Sequence, residues 1–194
     1  VYPEERLRAI SDLCADSGIC LISDEPYEDF VFDGARHVSP GSLPGASEHT
    51  FSLFSFSKSF GVPGWRLGYM CAPPGFMEAL TGVQDATVIS ASSPAQLAAL
   101  RMLEPGASYA GRHLPALDAN RRLFAEAMEE LDGLVSTPAP GGAFYFFPRL
   151  RTRKSGIEVA RRLVKEHRVL AVNGEPFGAR DAALRLSYGN TDPE

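Results

Sequence analysis

The segment 3–23 joins a helical pattern, a glycine and a strand pattern, and it constrains the fold more than any other part of the chain. In PEERLRAISDLCAD (3–16), Pro3 suits the first turn of a helix. Gly18 ends this helix, and the apolar run ICLIS (19–23) is typical of a strand buried on both faces. Helix followed by buried strand is half of a βαβ unit, so we predict an α/β fold. The residues of the predicted buried face of the helix are Leu7, Ile10, Leu13 and Cys14.

Three further segments extend this pattern through the first half of the chain. The runs TFSLF (50–54) and RLGYMCA (66–72) predict two more buried strands. The segment SPAQLAALRMLE (93–104) predicts a helix, because its apolar residues recur at helical spacing. The leucines that this spacing turns inward are Leu97, Leu100 and Leu103.

Two helices are predicted in the second half of the chain. The first covers roughly 113–132, and the second covers 155–167. Ser155 stands at the start of the second helix with Glu158 three residues further on, which is the signature of a capping box. The residues that mark the buried face of the first helix are Phe124, Ala127, Met128 and Leu131.

Strand patterns in the same half point to a second, smaller unit. The aromatic segment GGAFYFFP (141–148) predicts one strand, and VLAV (169–172) and LRLSY (184–188) predict two others. Strand, helix, strand and strand in this order indicate an α+β unit. We therefore predict two domains, 1–112 and 113–194, with the second beginning at the long helix.

Composition and charge argue against several classes of protein, namely nucleic-acid-binding, membrane-spanning and zinc-binding proteins. The formal net charge of the 194 residues is −5, and the longest basic cluster is RLRTRK (149–154), which we interpret as a solvated turn and not as a nucleic-acid surface. No apolar run is long enough to span a membrane, and no secretory leader is visible. The spacing of Cys14, Cys20 and Cys71 fits no zinc motif, so we expect reduced thiols, a cytoplasmic location and no bound metal.

Polar residues follow the first predicted strand at the edge where α/β proteins bind ligands. Asp24 comes at the carboxyl end of this strand, in the segment SDEPYEDF (23–30), and ligands of open α/β sheets bind at that edge. Tyr27 follows three residues later. Taken alone, Asp24 is better interpreted as a residue that caps a turn, and Tyr27 also fits a packed aromatic residue.

The next predicted strand leads into a lysine that stands among small and aromatic residues. Lys58 follows Ser55 and Phe56, and no other charge occurs before Arg66. A weakly solvated amine suits Schiff-base chemistry. Ser55 and Arg66 together suit a phosphate, since they offer a hydroxyl donor and a guanidinium fork. Each residue alone also fits a surface loop, so only the combination favours chemistry.

This combination resembles a known family. The stretch SFSKSFGVPGWRLG (55–68) is similar to the lysine motif of class I/II aminotransferases, the fold-type I enzymes that use pyridoxal 5′-phosphate (PLP). SDEPYEDFVFDG (23–34) resembles the aspartate–tyrosine segment of that family. PGGAFYFFP (140–148) and ALRLSYGN (183–190) resemble strands of its small domain. The resemblance implies the carboxyl-terminal half of a PLP-binding large domain, with a mainly parallel sheet and flanking helices, followed by a smaller α+β domain.

The resemblance also implies a role for each candidate residue in the cofactor site. Lys58 matches the lysine that forms a Schiff base with PLP and then moves a proton at the substrate Cα. Asp24 matches the carboxylate that pairs with the pyridine nitrogen, and Tyr27 matches the hydroxyl that bonds the cofactor 3′-oxygen. Ser55 and Arg66 match phosphate ligands.

The substrate and its partners are implied in the same way. Arg185 matches the arginine that holds the α-carboxylate of the substrate, and alternation along LRLSY places it opposite Leu184 and Leu186. The implied reaction moves an amino group between an L-amino acid and a 2-oxo acid. The implied assembly is a homodimer.

The chain departs from the family pattern in one large respect. The amino-terminal half of the family and the last helix of its small domain have no counterpart in residues 1–194, so we interpret the chain as a fragment and expect it to be inactive in isolation. Other chemistry on the same scaffold stays open: a PLP-dependent lyase, decarboxylase or cyclopropane-forming synthase. A cofactor-binding regulatory domain and a non-catalytic remnant also remain alternatives.

Overall fold

The computed structural model describes residues 1–104 and 109–189. Contacts between Cα atoms divide the chain into two compact units, Val1–Arg112 and His113–Glu194. The assignment of these units to a large and a small domain stays a prediction. Asn190 of the ALRLSYGN segment lies outside the described residues.

The first unit is built around a three-stranded sheet that follows a helix. Helix α1 spans Glu4–Asp16 and leads into β1, Leu21–Asp24. Strand β1 pairs in parallel with β2, Thr50–Ser55, and β2 pairs in antiparallel fashion with β3, Gly68–Cys71. The order β1-β2-β3 makes the described sheet mixed. The helix, the strands and the parallel pair confirm the predicted α/β class.

Burial in this sheet differs from the predicted pattern. Strand β3 is exposed along its whole length, although its sequence predicts a buried strand. In β2 the fully buried side chains are Thr50 and Ser52, not the aromatic residues. An apolar run predicts which side chains a strand can bury, but burial also needs a second surface packed against them. The described part of the first unit does not supply such a surface for β3 or for Ile22.

The helices of the first unit also turn unexpected faces inward. Helix α2 is the single turn Phe56–Ser59, α3 spans Met77–Thr87 and α4 spans Ser93–Leu103. The prediction that three leucines of α4 face inward was wrong, because Leu97 is 66% exposed and the buried residues are Ala95 and Ala99. In α1, likewise, Leu13 is exposed, while Ser11 and Cys14 are buried.

The described part of the second unit contains helical segments and short antiparallel strands. Helix α5 spans Tyr109–Glu130, so its first four residues belong to the first unit and the rest to the second. Helix α6 spans Gly156–Arg162, with a π-helical turn after it at Leu163–His167. Ser155 accepts a hydrogen bond from the amide of Glu158 and Glu158 accepts one from the amide of Ser155, which confirms the predicted capping box. The strands are β4, Val135–Ser136; β5, Tyr145–Phe146; β6, Arg149–Leu150; β7, Val172–Asn173; and β8, Leu184–Ser187.

These strands form a sheet of order β5-β8-β7 and a separate pair, β4-β6. One face of α6 packs against β8 through a small apolar core. The residues of this core are Ala160, Ala171 and Leu184, with Leu150, Val159, Leu163 and Leu186 packed against them.

Tyr188 follows β8 and is fully buried, and its hydroxyl donates to the carbonyl oxygen of Ala143 over 3.0 Å. Burial raises the pKa of the Tyr188 hydroxyl, so it stays a donor at physiological pH.

The buried face of α5 combines apolar and polar residues. Arg121 is buried; its Nε donates to Asp118 over 2.8 Å and its Nη1 to the carbonyl oxygen of Pro140 over 3.1 Å. Leu131, predicted to lie on the buried face, is exposed, and Phe124 is half-buried against Phe146. Ion pairing lets a charged side chain occupy a position that helical periodicity alone assigns to an apolar one.

Candidate active site

The pairing of three strands brings four of the predicted site residues to one edge of the first sheet. Because β1 and β2 are parallel, the carboxyl end of β1 at Asp24 and that of β2 at Ser55 lie at the same edge. Ser55 is paired with Gly68 at the start of β3, so the turn that carries Arg66 returns to this edge. Lys58 lies in the helical turn directly after Ser55. The sheet therefore collects a carboxylate, a hydroxyl, an amine and a guanidinium.

Lys58 is held in place by a capped helical turn. Ser55 has extended backbone torsions, and its Oγ accepts a hydrogen bond from the amide of Ser57 over 3.2 Å, which starts α2. Phe56 points into the core and contacts the ring of Phe60 at a centroid distance of 5.1 Å. Lys58 itself is half-buried. Ser55 uses a lone pair in the cap, so its hydroxyl proton is available to a ligand.

Arg66 is fixed by its backbone and by two hydrogen bonds. It adopts the left-handed conformation, with φ 51° and ψ 49°. Its Nη1 donates to the carbonyl oxygen of Pro63 over 2.9 Å and to Ser57 Oγ over 3.4 Å. Ser57 is thus a further member of the cluster, and it was not predicted from the sequence. Its signal was the S-x-S-K spacing, which places both hydroxyls in one helical turn.

Asp24 and Tyr27 occupy the loop that leaves β1. Asp24 is exposed at the end of the strand. Tyr27 is half-buried, its carbonyl oxygen accepts from the amide of Phe30 over 3.0 Å, and the two rings meet edge to face at 6.3 Å. Phe30 is buried and anchors the turn. The backbone of this turn is therefore defined by contacts that do not involve a ligand.

Behind Asp24 lies a buried polar network that was not predicted from the sequence. The side chain of Glu25 is 2% exposed. His37 Nε2 donates to Glu25 Oε2 over 2.7 Å, and Ser39 Oγ donates to Glu25 Oε1 over 2.9 Å. Burial by itself would raise the pKa of Glu25; hydrogen bonds from His37 and from three serine hydroxyls outweigh it and lower this pKa below 4.5. Glu25 is therefore an ionised, fully bonded carboxylate. The three serines are Ser39, Ser52 and Ser23.

Glu28 is a second carboxyl group in the same loop, and its pKa is shifted in the opposite direction to that of Glu25. Its Oε2 is buried and has no hydrogen-bond partner among the described residues. Burial, reinforced by the negative charge of Asp29, raises the pKa of Glu28 to about 7. The pKa of Tyr69 is raised as well, first by burial and then by the charge of Glu28. A proton on Glu28 therefore titrates in the physiological range.

Arg185 belongs to the second unit and lies in β8, paired with Val172 of β7. Its guanidinium carbon stands 4.6 Å from the ring centroid of Tyr145 and 4.4 Å from that of Phe177. Both distances lie within the range of cation–π interactions, so the guanidinium packs against two aromatic rings, and its N–H groups can still donate to a carboxylate. Neither aromatic residue was predicted as a partner of Arg185, because Phe177 comes from a separate 3₁₀ turn, Glu175–Phe177.

Comparisons with known proteins identify the family. The sequence model described as "Aminotransferase class I and II" matches residues 1–194. A probable aspartate/prephenate aminotransferase of Aquifex aeolicus is 34% identical over 97% of the chain and 49% of its own length. An aspartate aminotransferase of Geobacillus stearothermophilus is 33% identical over 98% of the chain and 50% of its own length. The chain belongs to the class I and II aminotransferase family.

Solved structures agree on the fold. The chain is similar to an aspartate aminotransferase double mutant from Thermus thermophilus, with a TM-score of 0.89 and 32% identity over 98% of the chain and 49% of that protein. This likeness confirms the predicted fold class, that of the aspartate-aminotransferase-like enzymes. The chain spans about half the length of the curated relatives it matches. In the described ranges, no helix is both long and apolar enough to cross a membrane.

Proposed function

We propose that this chain is the part of a PLP-dependent aminotransferase that carries the reactive lysine, and that the enzyme moves an amino group between an L-amino acid and a 2-oxo acid. One observation carries the proposal: strand pairing brings Asp24, Ser55 and Lys58 to one sheet edge, together with Arg66. These are the residue types that PLP requires, and they belong to a chain of the aminotransferase family. The cofactor, the substrates and the residue roles are parts of this proposal.

The donor set at the sheet edge fits PLP. Arg66 supplies a guanidinium for the phosphate, and the hydroxyls of Ser55 and Ser57 lie in the adjacent helical turn. Asp24 supplies a carboxylate for the ring nitrogen, and Tyr27 supplies a phenol for the 3′-oxygen. When bound, PLP provides an aldehyde that condenses with amines and a ring that withdraws electrons from the substrate Cα.

The chain contributes positioning and proton transfer. Lys58 would hold PLP through its amine, and once the amine of the substrate has displaced it, the freed Lys58 amine would be placed to move a proton at the substrate Cα. Asp24 keeps the ring nitrogen protonated, because a carboxylate stabilises a nearby cation. Tyr27 donates a hydrogen bond to the 3′-oxygen. Arg66 and the two serines prevent rotation of the phosphate end, so that Lys58 meets the substrate in one orientation.

Arg185 binds the α-carboxylate of the substrate in this proposal. Its support is the packing of the guanidinium against the rings of Tyr145 and Phe177, since a guanidinium in contact with aromatic rings can still offer two N–H groups to a carboxylate in bidentate fashion. A held guanidinium also loses less rotamer entropy on binding than a free one. The family resemblance assigns it the same role.

The family membership also supports an assembly and a location. We infer a homodimer that acts in amino-acid metabolism in the cytoplasm. The three cysteines are free in the structure, as expected of a protein from a reducing compartment.

The proposal is tested by covalent trapping in the full-length protein. The protein is incubated with PLP, reduced with sodium borohydride, digested and analysed by mass spectrometry. A pyridoxyl group on Lys58 is the expected result, and it should be absent in Lys58→Ala but present in the control Lys154→Ala, whose lysine is exposed in the second unit. A label on another residue, or no label, would overturn the proposal.

A second measurement separates transamination from other PLP chemistry. The loaded protein is mixed with an excess of an L-amino acid over bound cofactor, without a 2-oxo acid. An aminotransferase releases one 2-oxo acid per cofactor and then stops until a second 2-oxo acid is added. Continuous release of ammonia or carbon dioxide would instead indicate a lyase or a decarboxylase.

A further inference from the structure

Glu25 joins three separate parts of the first unit through one buried carboxylate. It lies directly after β1, and its amide donates to the carbonyl oxygen of Leu53 over 2.8 Å, which extends the parallel ladder. Its side chain accepts hydrogen bonds from His37 and Ser39, which lie 12 and 14 residues further along the chain. Both ends of the loop 25–39 are therefore tied to a single charged group.

The network continues from the loop into the next strand. Ser39 Oγ and Ser52 Oγ are 3.2 Å apart. Both hydroxyls also hydrogen-bond the Glu25 carboxylate, which accepts from Ser39 over 2.9 Å. Ser52 lies in β2, three residues before Ser55. A chain of hydrogen bonds thus runs from the loop through Glu25 to the strand that leads to Lys58.

Close packing leaves this network little freedom. A Cβ atom on Gly41 would stand 2.8 Å from Ser52 Oγ, so the backbone after Ser39 lies directly on the network. Glu25 and Ser52 are both buried. Hydrogen bonds to a buried charge are among the stronger ones in proteins, and breaking one leaves the remaining groups unsatisfied.

We propose that the Glu25–His37 pair is a positioning device: it closes the loop 25–39 and thereby holds Tyr27 and Asp24 in the orientation that the cofactor requires. Alternation along the strand turns Asp24 to the exposed side and Glu25 to the buried side, so anchoring Glu25 sets the direction of Asp24. Tyr27 lies two residues further into the closed loop. The inference rests on the proposed function, because the benefit of a held Tyr27 is its bond to PLP.

Several titratable groups surround the pair and enter any test that varies pH. Glu28 and Asp29 lie in the same loop; Tyr69 of β3 interacts electrostatically with Glu25, Glu28 and Asp29, and Cys71 interacts with Tyr69. His37 is partly exposed, with 31% of its side chain accessible, so solvent ions also reach it. The test therefore compares variants at each pH and does not rely on a single profile.

The first test measures the loop without any cofactor. Hydrogen exchange of the 25–39 amides is compared in the full-length wild type, Glu25→Gln and His37→Gln, with Glu78→Gln as the control, since Glu78 is an exposed residue of α3. We expect about tenfold or faster exchange in this loop for the first two variants, with β2 nearly unchanged, because loss of one charged hydrogen bond has about this effect. Unchanged exchange in both variants would overturn the proposal.

The second test asks whether Glu25 acts through Tyr27. The pH midpoint of the visible absorbance of the loaded protein is measured in Glu25→Gln, Tyr27→Phe and the double variant. We expect both single variants to shift the midpoint in the same direction, and the double variant to match Tyr27→Phe. Additive shifts would overturn the proposal, because they would show that Glu25 acts on the cofactor independently of Tyr27.

Activity measurements complete the experiment. Misplacement of Tyr27 is expected to lower kcat/KM about tenfold to a hundredfold in Glu25→Gln, and less in Ser39→Ala, which removes one donor from the same carboxylate. Ser39→Ala also replaces Glu25→Gln if the latter does not fold. Failure of borohydride to label Lys58 in the wild type would overturn the proposed function, while the exchange data would still decide whether Glu25 closes the loop.

Discussion

Gly68 lies against the main chain of Phe54: a Cβ atom on Gly68 would stand 2.5 Å from the carbonyl oxygen of Phe54. This contact is with backbone and not with a flexible side chain, so a larger residue must displace β3 from β2. The turn that carries Arg66 ends at Gly68, two residues further on. The start of β3 therefore sets the position of the arginine that we assign to the phosphate.

We expect Gly68→Ala to lower PLP affinity as well as stability. The added methyl group separates the strands at the Ser55–Gly68 pair and moves Arg66 away from the helical turn. Equilibrium dialysis with PLP and a thermal melt of the full-length protein measure the two effects. Gly75→Ala is the matched control, because nothing lies within 4 Å of its added Cβ. Equal behaviour of the two variants would show that the strand contact has no role.

Arg66→Lys is expected to weaken PLP binding by about 1.5–3 kcal/mol, the typical contribution of a hydrogen bond to a charged group. Lysine keeps the charge but loses the fork that donates to Pro63 and Ser57. The change in dissociation constant is read from a titration with PLP. Arg101→Lys is the control, since Arg101 is exposed and pairs with the nearby Glu104. An unchanged dissociation constant in Arg66→Lys would remove Arg66 from the site.

Glu28→Gln is expected to raise the melting temperature at pH 8 more than at pH 5. The pKa of Glu28 is raised from 4.5 to about 7, so the folded protein binds more protons than the unfolded chain between these values. Stability contributed by this group is therefore lost as pH rises from about 4.5 to about 7. Glutamine carries no charge at either pH and avoids that loss. Melting curves at both pH values, with Glu78→Gln as the reference, measure the difference; equal gains at pH 5 and pH 8 would contradict the assignment.

Arg185→Lys should raise KM for both the amino acid and the 2-oxo acid. Lysine offers a single point charge and cannot make two parallel hydrogen bonds to a carboxylate. Steady-state kinetics with each substrate varied in turn measure the change. Arg180→Lys is the control, because Arg180 is exposed in the same unit. A fall in PLP affinity without a rise in KM would place Arg185 with the cofactor and not with the substrate.

Ser155→Ala is expected to destabilise the second unit by about 1 kcal/mol, the usual effect of removing a helix cap. Ser155 accepts from the amide of Glu158, and its own amide donates to the Glu158 carboxylate over 2.8 Å. Glu158→Gln preserves both acceptors of the capping box and should cost less. Urea unfolding of the full-length protein, followed by hydrogen exchange in α6, compares the two variants. An equal loss in both would mean that charge, and not the cap, stabilises α6.

Several features followed from the sequence because their causes are local. Pro3 and the helical spacing after it predicted α1, and the Ser155–Glu158 pair predicted the start of α6. The lysine segment by itself indicated the family, since its residues are contiguous in the chain. Caps, prolines and apolar periods act over three or four residues, so a single chain displays them directly.

Other features needed the tertiary structure. Glu25 and His37 are 12 residues apart, and nothing in the loop sequence shows that it closes on itself. Leu97 has the spacing of a core residue and is exposed, while Arg121 is charged and buried. Local sequence determines which element forms and which groups it can offer. Which side chains are buried, and which groups they hydrogen-bond, depends on the surfaces that meet when distant segments of the chain come together. For that reason only the tertiary structure decided these two properties.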